Sequence, residues 1–510
     1  MLPYLPDEIL NGIFSHLLTP SQRHYYCRND RHDDCTQVRL VCRRWNAIAT
    51  KGLLGTLVLR HSVATINDNF GSWNRLLDSL SFRSDVQRVA IETAPLVEDP
   101  FSIYNGLCEA FRWPVSWHNY NAQWPEFESA IDRIRHLPNL DAIELRFTAD
   151  CLGYRGEMER NWEMAYMGVS LSTTPIEEPI MSREYTLEAL KRAMQGRNGN
   201  PNLSRVREVV LENLQNRLSE YAILPDVIQD IERLHIKITS EGEGRFARTT
   251  EIQRSYRYET RTFPYYLEYR ILSFAPNLVE LTLAGKNWSG IPGAFRGMDI
   301  HFPRLKTLTL GGLDILLERH FDWVLRHKSL TTLRLHQCTI ATHCLVQQPE
   351  FSFWGVELDG WVRVQDDNHD TEGEHRFHIR HIPRPDHDEP GWYVGPLRWN
   401  TLFDSIGEEL PLLQDFIFDG EKWETYFRHV EDPYYLLSID FRYSAFAHCW
   451  THLVLSFGEM PVLQCLDECH YVQAGMPGTP EELVYLTEQA DSQALEKLLQ
   501  TVQTRRRERY

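Results

Sequence analysis

Histidine and cysteine are the side chains of this sequence best suited to hold a metal or attack a substrate, and three stretches group them. His24, Cys27, His32 and Cys35 lie close together, but as Cys-x7-Cys and His-x7-His. Zinc knuckles use a Cys-x2–4-Cys spacing that lets two thiolates close on one tetrahedral ion. His375, His378 and His381 stand three apart in EHRFHIRHI, where Phe377 and Ile379 alternate with polar residues as in a half-buried strand. Cys465 and Cys469-His470 share a helical face but lack a matched fourth ligand. These spacings predict a polar loop, a solvated strand face and buried thiols, with no metal and no cofactor. A hydrolase elbow, a dinucleotide fingerprint and a His-Glu-x-x-His helix are absent, and AGKNWSG (284–290) lacks the earlier glycine of a phosphate loop. The sequence therefore predicts no catalytic residue and no enzyme.

The elements that would have to position any site come from a chain of 510 residues with 53 Lys+Arg against 71 Asp+Glu, a net charge of −18. That balance argues against a nucleic-acid-binding body, which needs a basic field. Hydrophobic residues are 42% and charged residues 24%, enough to bury a core. No apolar run approaches the roughly 20 residues of a membrane span. The opening MLPYLPDEIL carries Asp7 and Glu8 where an export signal would be basic. Ten cysteines occur without a Cys-x-x-Cys pair, which reads as reduced thiols. The expectation is an intracellular protein, cytoplasmic or nuclear, with no membrane partner.

The first fifty residues are the most informative. Pro6-Asp7-Glu8 is a helix start, with proline in the first turn and acids behind it. Ile9, Leu10, Ile13, Phe14, Leu17 and Leu18 follow on one helical stripe. A second helix reads from Thr36, with Val38, Val41, Cys42, Trp45, Ile48 and Ala49 on one face and Arg39, Arg43 and Arg44 on another. A unit this small cannot bury so much apolar surface alone, so the surplus must meet the rest of the chain or another protein. The paired segments LPDEILNGIFSHLL and VRLVCRRWNAIA resemble the F-box, with a linker about ten residues longer than usual. The resemblance implies that Leu5, Pro6, Ile9, Leu10, Ile13, Phe14, Leu17, Leu40, Val41, Cys42 and Trp45 bind a Skp-family adaptor, and through it a cullin.

The remaining chain repeats one short shape. PNLDAIEL (138–145), PNLVELTL (276–283), PRLKTLTL (303–310) and PLLQDFIF (411–418) each carry proline two positions before the first apolar residue, and KSLTTLRL (328–335) has the same shape without it. Leu278, Leu305, Leu330 and Phe353 are 27, 25 and 23 residues apart. The pattern resembles leucine-rich repeats, whose strands read L-x-x-L-x-L at periods of 20–29 residues. It predicts adjacent parallel strands with Leu278, Leu281, Leu283, Leu305, Leu308, Leu310, Leu330, Leu333 and Leu335 inward, and a helix over Leu313 to Leu325 between two of them. Weaker units are LGTLVL (54–59), VQRVAI (86–91), VREVVL (206–211) and IERLHI (231–236). The ladder position eight residues after the first leucine is filled only by Cys338, so the repeats are expected to be irregular.

The fold class expected is α/β: an all-helical F-box at 1–50, then an irregular leucine-rich-repeat-like solenoid at 51–478, then a C-terminal helical tail at 479–510. Insertions interrupt the repeats at 153–185, 239–266 and 365–391. The second interleaves Arg245, Arg248, Arg254, Arg257 and Arg261 with Tyr256, Tyr258, Tyr265 and Tyr266, and reads as a solvated loop. Polar positions between the inward leucines, Glu280, Thr282, Lys306, Thr309, Thr332 and Arg334, are the candidate substrate-binding residues of a concave face. The whole resembles F-box proteins of filamentous fungi. That resemblance implies a non-catalytic subunit that recruits an unidentified protein substrate for ubiquitination, or an adaptor-binding assembly factor outside the ligase.

Overall fold

The computed structural model describes residues 6, 10, 40–46, 55–60, 68–93, 124–147, 180–217, 225–239, 262–285, 288–289, 295–346, 358–363, 391–419, 442–447, 450–453 and 480–508. The architecture is mixed α/β, with parallel strands and covering helices, in two compact units. One is built mainly from Met1–Gln215 and Ser219–Ile252, the other mainly from Gln253–Trp423 and Tyr435–Tyr510. Among the described residues no helix is long and apolar enough to cross a membrane.

In the first unit the described elements run β1 (Thr56–Arg60), α1 (Gly71–Asp78), α2 (Leu80–Asp85), β2 (Arg88–Glu92), α3 (Pro125–Asp132), β3 (Ala142–Arg146), α4 (Ile180–Asn198), β4 (Glu208–Gln215), α5 (Pro225–Ile228) and β5 (Arg233–Thr239). The five strands pair in sequence order and all in parallel. Their register lines up Leu57, Val89, Ile143, Val209 and Leu234 in one row and Leu59, Ile91, Leu145, Leu211 and Ile236 in the next. Both rows are buried. Residues 180–185, the end of the predicted 153–185 insertion, form the first turns of α4. Arg197 near the end of α4 is buried and donates to the carbonyls of Leu137, Leu140 and Ser204, tying helix to turns. With burial unopposed by any acid, its pKa falls to about 10.

The second unit begins with a helical segment at 262–274 and continues through β6 (Glu280–Gly285), β7 (Thr307–Gly311), β8 (Asp314–Ile315), α6 (Asp322–Leu325), β9 (Thr332–His336), β10 (Thr339–Val346), β11 (Val362–Arg363), β12 (Gly391–Val394), α7 (Trp399–Glu409), β13 (Asp415–Asp419), β14 (Tyr443–Ala447), β15 (Trp450–Leu453) and α8 (Pro480–Glu508). Strands β6, β7, β9 and β13 pair in parallel, one repeat step at a time. The nine leucines predicted to point inward are each 0% exposed. A second, mixed sheet joins β11, β12, β10, β14 and β15, with β8 beside β10.

The recurring proline has a local cause. Leu305 donates its N–H to the Phe302 carbonyl at 3.1 Å and Leu413 to the Leu410 carbonyl at 3.2 Å, which closes β-turns with Pro303 and Pro411 at the second position. Proline's fixed φ suits that position. His327 to Leu330 makes the same turn without proline, its closing bond 3.0 Å. After each turn one carbonyl accepts two consecutive N–H groups of the next strand's entry. Val279 takes those of Lys306 and Thr307, Lys306 those of Thr331 and Thr332, and Thr331 those of Gln414 and Asp415. The first unit repeats the device at Gly55, Gln87, Asp141 and Arg207.

The helix expected over 313–325 is not continuous. Asp314–Ile315 is β8, Glu318–His320 a 3-10 turn and Asp322–Leu325 one α turn. Leu317, Phe321, Val324 and Leu325 are buried as their spacing suggests. The backbone before them pairs with Thr339 and Ile340 of β10 instead, and Gly312, at φ +68°, donates to the His336 carbonyl. A Cβ at Gly312 would fall 2.2 Å from the Gly285 oxygen, so the turn admits only glycine.

The C-terminal segment is helical, as predicted, and α8 lies alongside α7 in the same direction. Asp491, 1% exposed, accepts from the Asn400 N–H at 2.9 Å and the Tyr443 hydroxyl at 2.8 Å, and faces Arg442 at 2.9 Å. Lys497 pairs with Asp404, and Arg505 donates to the Gly407 and Leu410 carbonyls. An acid thus sits at the start of α7 and a cation at its end, complementing the helix dipole where two parallel dipoles repel. Burial, with Asp491 beside it, pushes the Tyr443 hydroxyl up to about 12.

Two outcomes follow from this packing. Leu308→Ala should destabilise the protein by about 2–5 kcal/mol in urea unfolding, because the site is closed by Leu281 and Leu333 on either side. Acid should weaken the second unit through His320 and His327. Burial pushes each imidazole down to about 4, although the Trp323 carbonyl on His327 Nδ1 pulls the other way. Both are neutral when folded and titrate near 6.5 when unfolded, so stability is unchanged above that pH. It falls as pH drops from about 6.5 to 4, by up to about 3 kcal/mol each. Neither nitrogen of His320 has a hydrogen-bond partner among the described residues. His320→Leu should therefore gain on wild type progressively between pH 7 and pH 5; a constant difference would contradict the assignment.

Candidate functional site

Of the predicted adaptor-binding residues, Pro6, Leu10, Leu40, Val41, Cys42 and Trp45 are described; Leu5, Ile9, Ile13, Phe14 and Leu17 lie outside the described residues. Leu10 donates its N–H to the Pro6 carbonyl at 3.1 Å, the spacing of a helical turn, and its side chain is buried. Residues 43–46 form a second turn, in which Trp45 donates its N–H to the Cys42 sulfur at 3.4 Å. The thiol takes the place of the usual Ser, Thr, Asp or Asn cap. Just before it, Leu40 is 76% and Val41 61% exposed. Two adjacent aliphatic side chains held open at a capped helix start form an apolar contact point.

Five of the six predicted substrate-binding residues share one face of the second unit's parallel sheet, and Lys306 lies outside the register, just before β7. Register places Glu280, Thr307, Thr332 and Asp415 in one row, and Thr282, Thr309, Arg334 and Ile417 in the next. Their accessibility differs. Thr282 and Thr309 are buried, Glu280, Thr332 and Arg334 are half-buried, and Lys306 is exposed at the strand entry. Arg334 pairs with Asp415 at 3.1 Å, and in the following row His336 Nδ1 meets Asp419 at 2.7 Å. A histidine–aspartate pair invites a catalytic reading, but the nearest thiol does not serve it. Burial pushes Cys338 up to about 12, and its sulfur donates to the Leu310 and His336 carbonyls. Cys338 thus bridges to the preceding strand.

The first unit carries a larger polar array that the sequence reading missed. On the sheet face opposite its apolar rows, Arg146 meets Glu92 and Glu144 at 2.7 Å each, and Arg88 meets Glu208 at 2.7 Å. Arg233 bridges Glu208 and Asp141 at 3.1 and 3.2 Å, and Lys237 faces Glu212 at 3.8 Å. Burial acts to raise the Glu208 carboxyl, but Arg88, His235 and Arg233 outweigh it and hold its pKa below the ordinary range. Every one of these carboxylates is matched by a cation. The visible signal was alternation: Arg88 and Glu92, Glu144 and Arg146, Glu208 and Glu212 stand two or four apart between inward apolar residues. Their pairing depends on strand register.

Among the described residues no group of three His, Cys, Asp or Glu side chains is placed to hold a metal. The His24–Cys35 stretch, the three histidines at 375–381 and Cys465–His470 lie outside the described residues. So do the arginines of the 239–266 insertion, whereas Tyr265 and Tyr266 belong to the helix at 262–274.

Comparison with known proteins bears on one part of the chain. An F-box-like family model matches residues 2–54, so the N-terminus carries an F-box-like domain spanning the capped turn and the exposed Leu40-Val41 pair. No curated protein matches the chain.

Proposed function

We propose that this protein is the non-catalytic target-recognition subunit of a Skp–cullin–F-box ubiquitin ligase. The observation that carries the reading is the F-box-like match at residues 2–54, together with the open aliphatic pair Leu40-Val41 beside Trp45. Apolar side chains kept in solvent are a cost to an isolated domain and a gain to one that docks. The adaptor would cover them along with Leu5, Pro6, Ile9, Ile13, Phe14, Leu17 and Cys42, whereas Leu10, already 1% exposed, is covered by the chain itself. The domain then ends near residue 50, and 51–478 forms a degenerate leucine-rich-repeat body of the fungal type with the helix at 479–510 closing it. The parallel strands, the one-repeat register and the bridge made by Cys338 support that description of the body. A target protein held on the body is brought within reach of a ubiquitin-charged enzyme, and proximity supplies the rate. The place of work is then the cytoplasm or nucleus.

Two measurements test the reading. Pro6→Ala with Ile9→Ala, or Leu40→Glu with Val41→Glu, should reduce co-purified adaptor more than about tenfold while the melting temperature stays within a few degrees of wild type. Retention of adaptor at wild-type levels would remove the proposal, and adaptor without cullin would place the protein in an assembly role outside the ligase. On the body, Lys306→Glu with Arg334→Glu should lower the yield of proximity-labelled target and leave adaptor binding intact. Loss of both together would mean that the sheet itself had been damaged.

A further inference from the structure

The second unit holds a surface whose charge runs against that of the chain. From residue 262 to 328 the exposed Lys, Arg, Asp and Glu side chains among the described residues are Arg270, Arg296, Arg304, Lys306, Arg319, Arg326 and Lys328 against Asp299, Glu318 and Asp322, a basic surplus in a protein of net charge −18. Exposed apolar side chains lie among them. Tyr265 is 64% and Met298 59% exposed, and the Tyr265 and Tyr269 rings sit 4.3 Å apart along the solvent side of one helix.

Met298 is held out by its backbone. Glu268, 3% exposed, accepts the N–H groups of Gly297 at 3.1 Å and Asp299 at 3.4 Å, one on either side of Met298. Burial raises the Glu268 carboxyl against those donors. Arg326 donates to the Gly297 carbonyl at 2.6 Å and the Met298 carbonyl at 2.8 Å, so it fastens the loop from the other side while its charge meets no carboxylate there. Tyr269 donates its hydroxyl to Asp299 at 2.6 Å, which occupies the acid next to Met298. Gly297 has φ +58°, and a Cβ there would lie 2.5 Å from Trp323, so the loop is seated tightly on the core. A buried carboxylate, a glycine-only turn and an arginine fork together fix one solvent-facing methionine beside two tyrosines.

We propose that Tyr265, Tyr269 and Met298, with Arg270 and Arg326, form a preformed docking surface for an acidic segment of a partner protein. Tyrosine, methionine and arginine are the residues enriched at the centres of protein interfaces. A pre-ordered loop avoids the entropy that a loose one loses on binding. Exposed cations such as Arg270 and Arg326 attract an acidic segment to this place, while the acidic remainder of the molecule repels it. An acidic peptide with apolar side chains fits both halves of the surface. A nucleic-acid surface needs a continuous basic stripe along successive phosphates, whereas here the arginines are interspersed with apolar side chains. The surface shares no residue with the F-box-like domain, so the inference stands whether or not the adaptor binds.

The probe is a short fluorescein-labelled peptide of repeated Glu-Leu-Glu-Phe units, titrated with the full-length protein by fluorescence anisotropy at low and raised salt. A Lys-Leu-Lys-Phe peptide and a single-stranded oligothymidylate run beside it. Saturable binding of the acidic peptide, weakened by salt and about tenfold by Arg270→Glu with Met298→Ser, is the expected result. Tyr265→Ser, on the solvent side of the helix, should weaken binding independently, and Arg75→Glu in the other unit should change nothing. Equal binding of the basic peptide, tighter binding of the oligothymidylate, or wild-type affinity in both patch variants would overturn the proposal.

Discussion

One hydrogen-bond arrangement sets the geometry of both units: a single carbonyl at each strand entry that accepts two consecutive N–H groups from the next. It recurs at Gly55, Gln87, Asp141 and Arg207, and again at Val279, Lys306 and Thr331. Each fork fixes where the following strand begins, and in a parallel pair that start decides which side chains face inward. A slip of one residue would turn every leucine of a strand to the other face. The rows Leu281, Leu308, Leu333 and Phe416, and Leu283, Leu310, Leu335 and Phe418, are the direct result.

The same register explains the salt-bridged array of the first unit. Buried ion pairs contribute little net stability, since desolvation offsets most of their attraction. Their effect lies in what they penalise. Shifting β3 by two residues against β2 would set Glu144 beside Glu92 and move Arg146 beyond the strand's last residue. Apolar rows alone tolerate a two-residue shift, because alternation is preserved; the charged rows do not. The polar face thus makes the register unique where the apolar face only makes it compact.

The sequence was legible wherever a local rule decided the outcome. The inward leucines and the helix at 480–508 both rest on spacing within a single segment. Legibility stopped where the deciding partner was remote. The 313–325 helix broke because Asp314 and Ile315 pair with Thr339 and Ile340, which periodicity within 313–325 cannot register. The charged array stayed hidden because Arg88 and Glu208 are 120 residues apart and meet only through strand order. The polar-face reading placed Thr282 and Thr309 correctly on one face but not their burial, since the pattern of one strand does not carry what covers it. Of the apolar N-terminal motif, the surplus of hydrophobic residues left open whether the chain itself covers Leu40 and Val41, and nothing signalled the cysteine cap.

The forks also separate two kinds of change the chain can absorb. Strand entries are crowded, with short turns whose every donor is committed, so an added residue there would displace the start of the next strand and everything paired to it. Strand exits differ among themselves: the turn after β7 admits only glycine at Gly312, whereas after β2 the next described element begins beyond Thr93 at Trp124 and after β3 beyond Phe147 at Ile180. Closing a longer excursion costs little, since the entropy of loop closure grows only with the logarithm of length. Where an exit is open, as after β2 and β3, the chain can lengthen while the strands keep their alignment. Within a unit, new segments could be gained there without re-solving the packing of the strand rows.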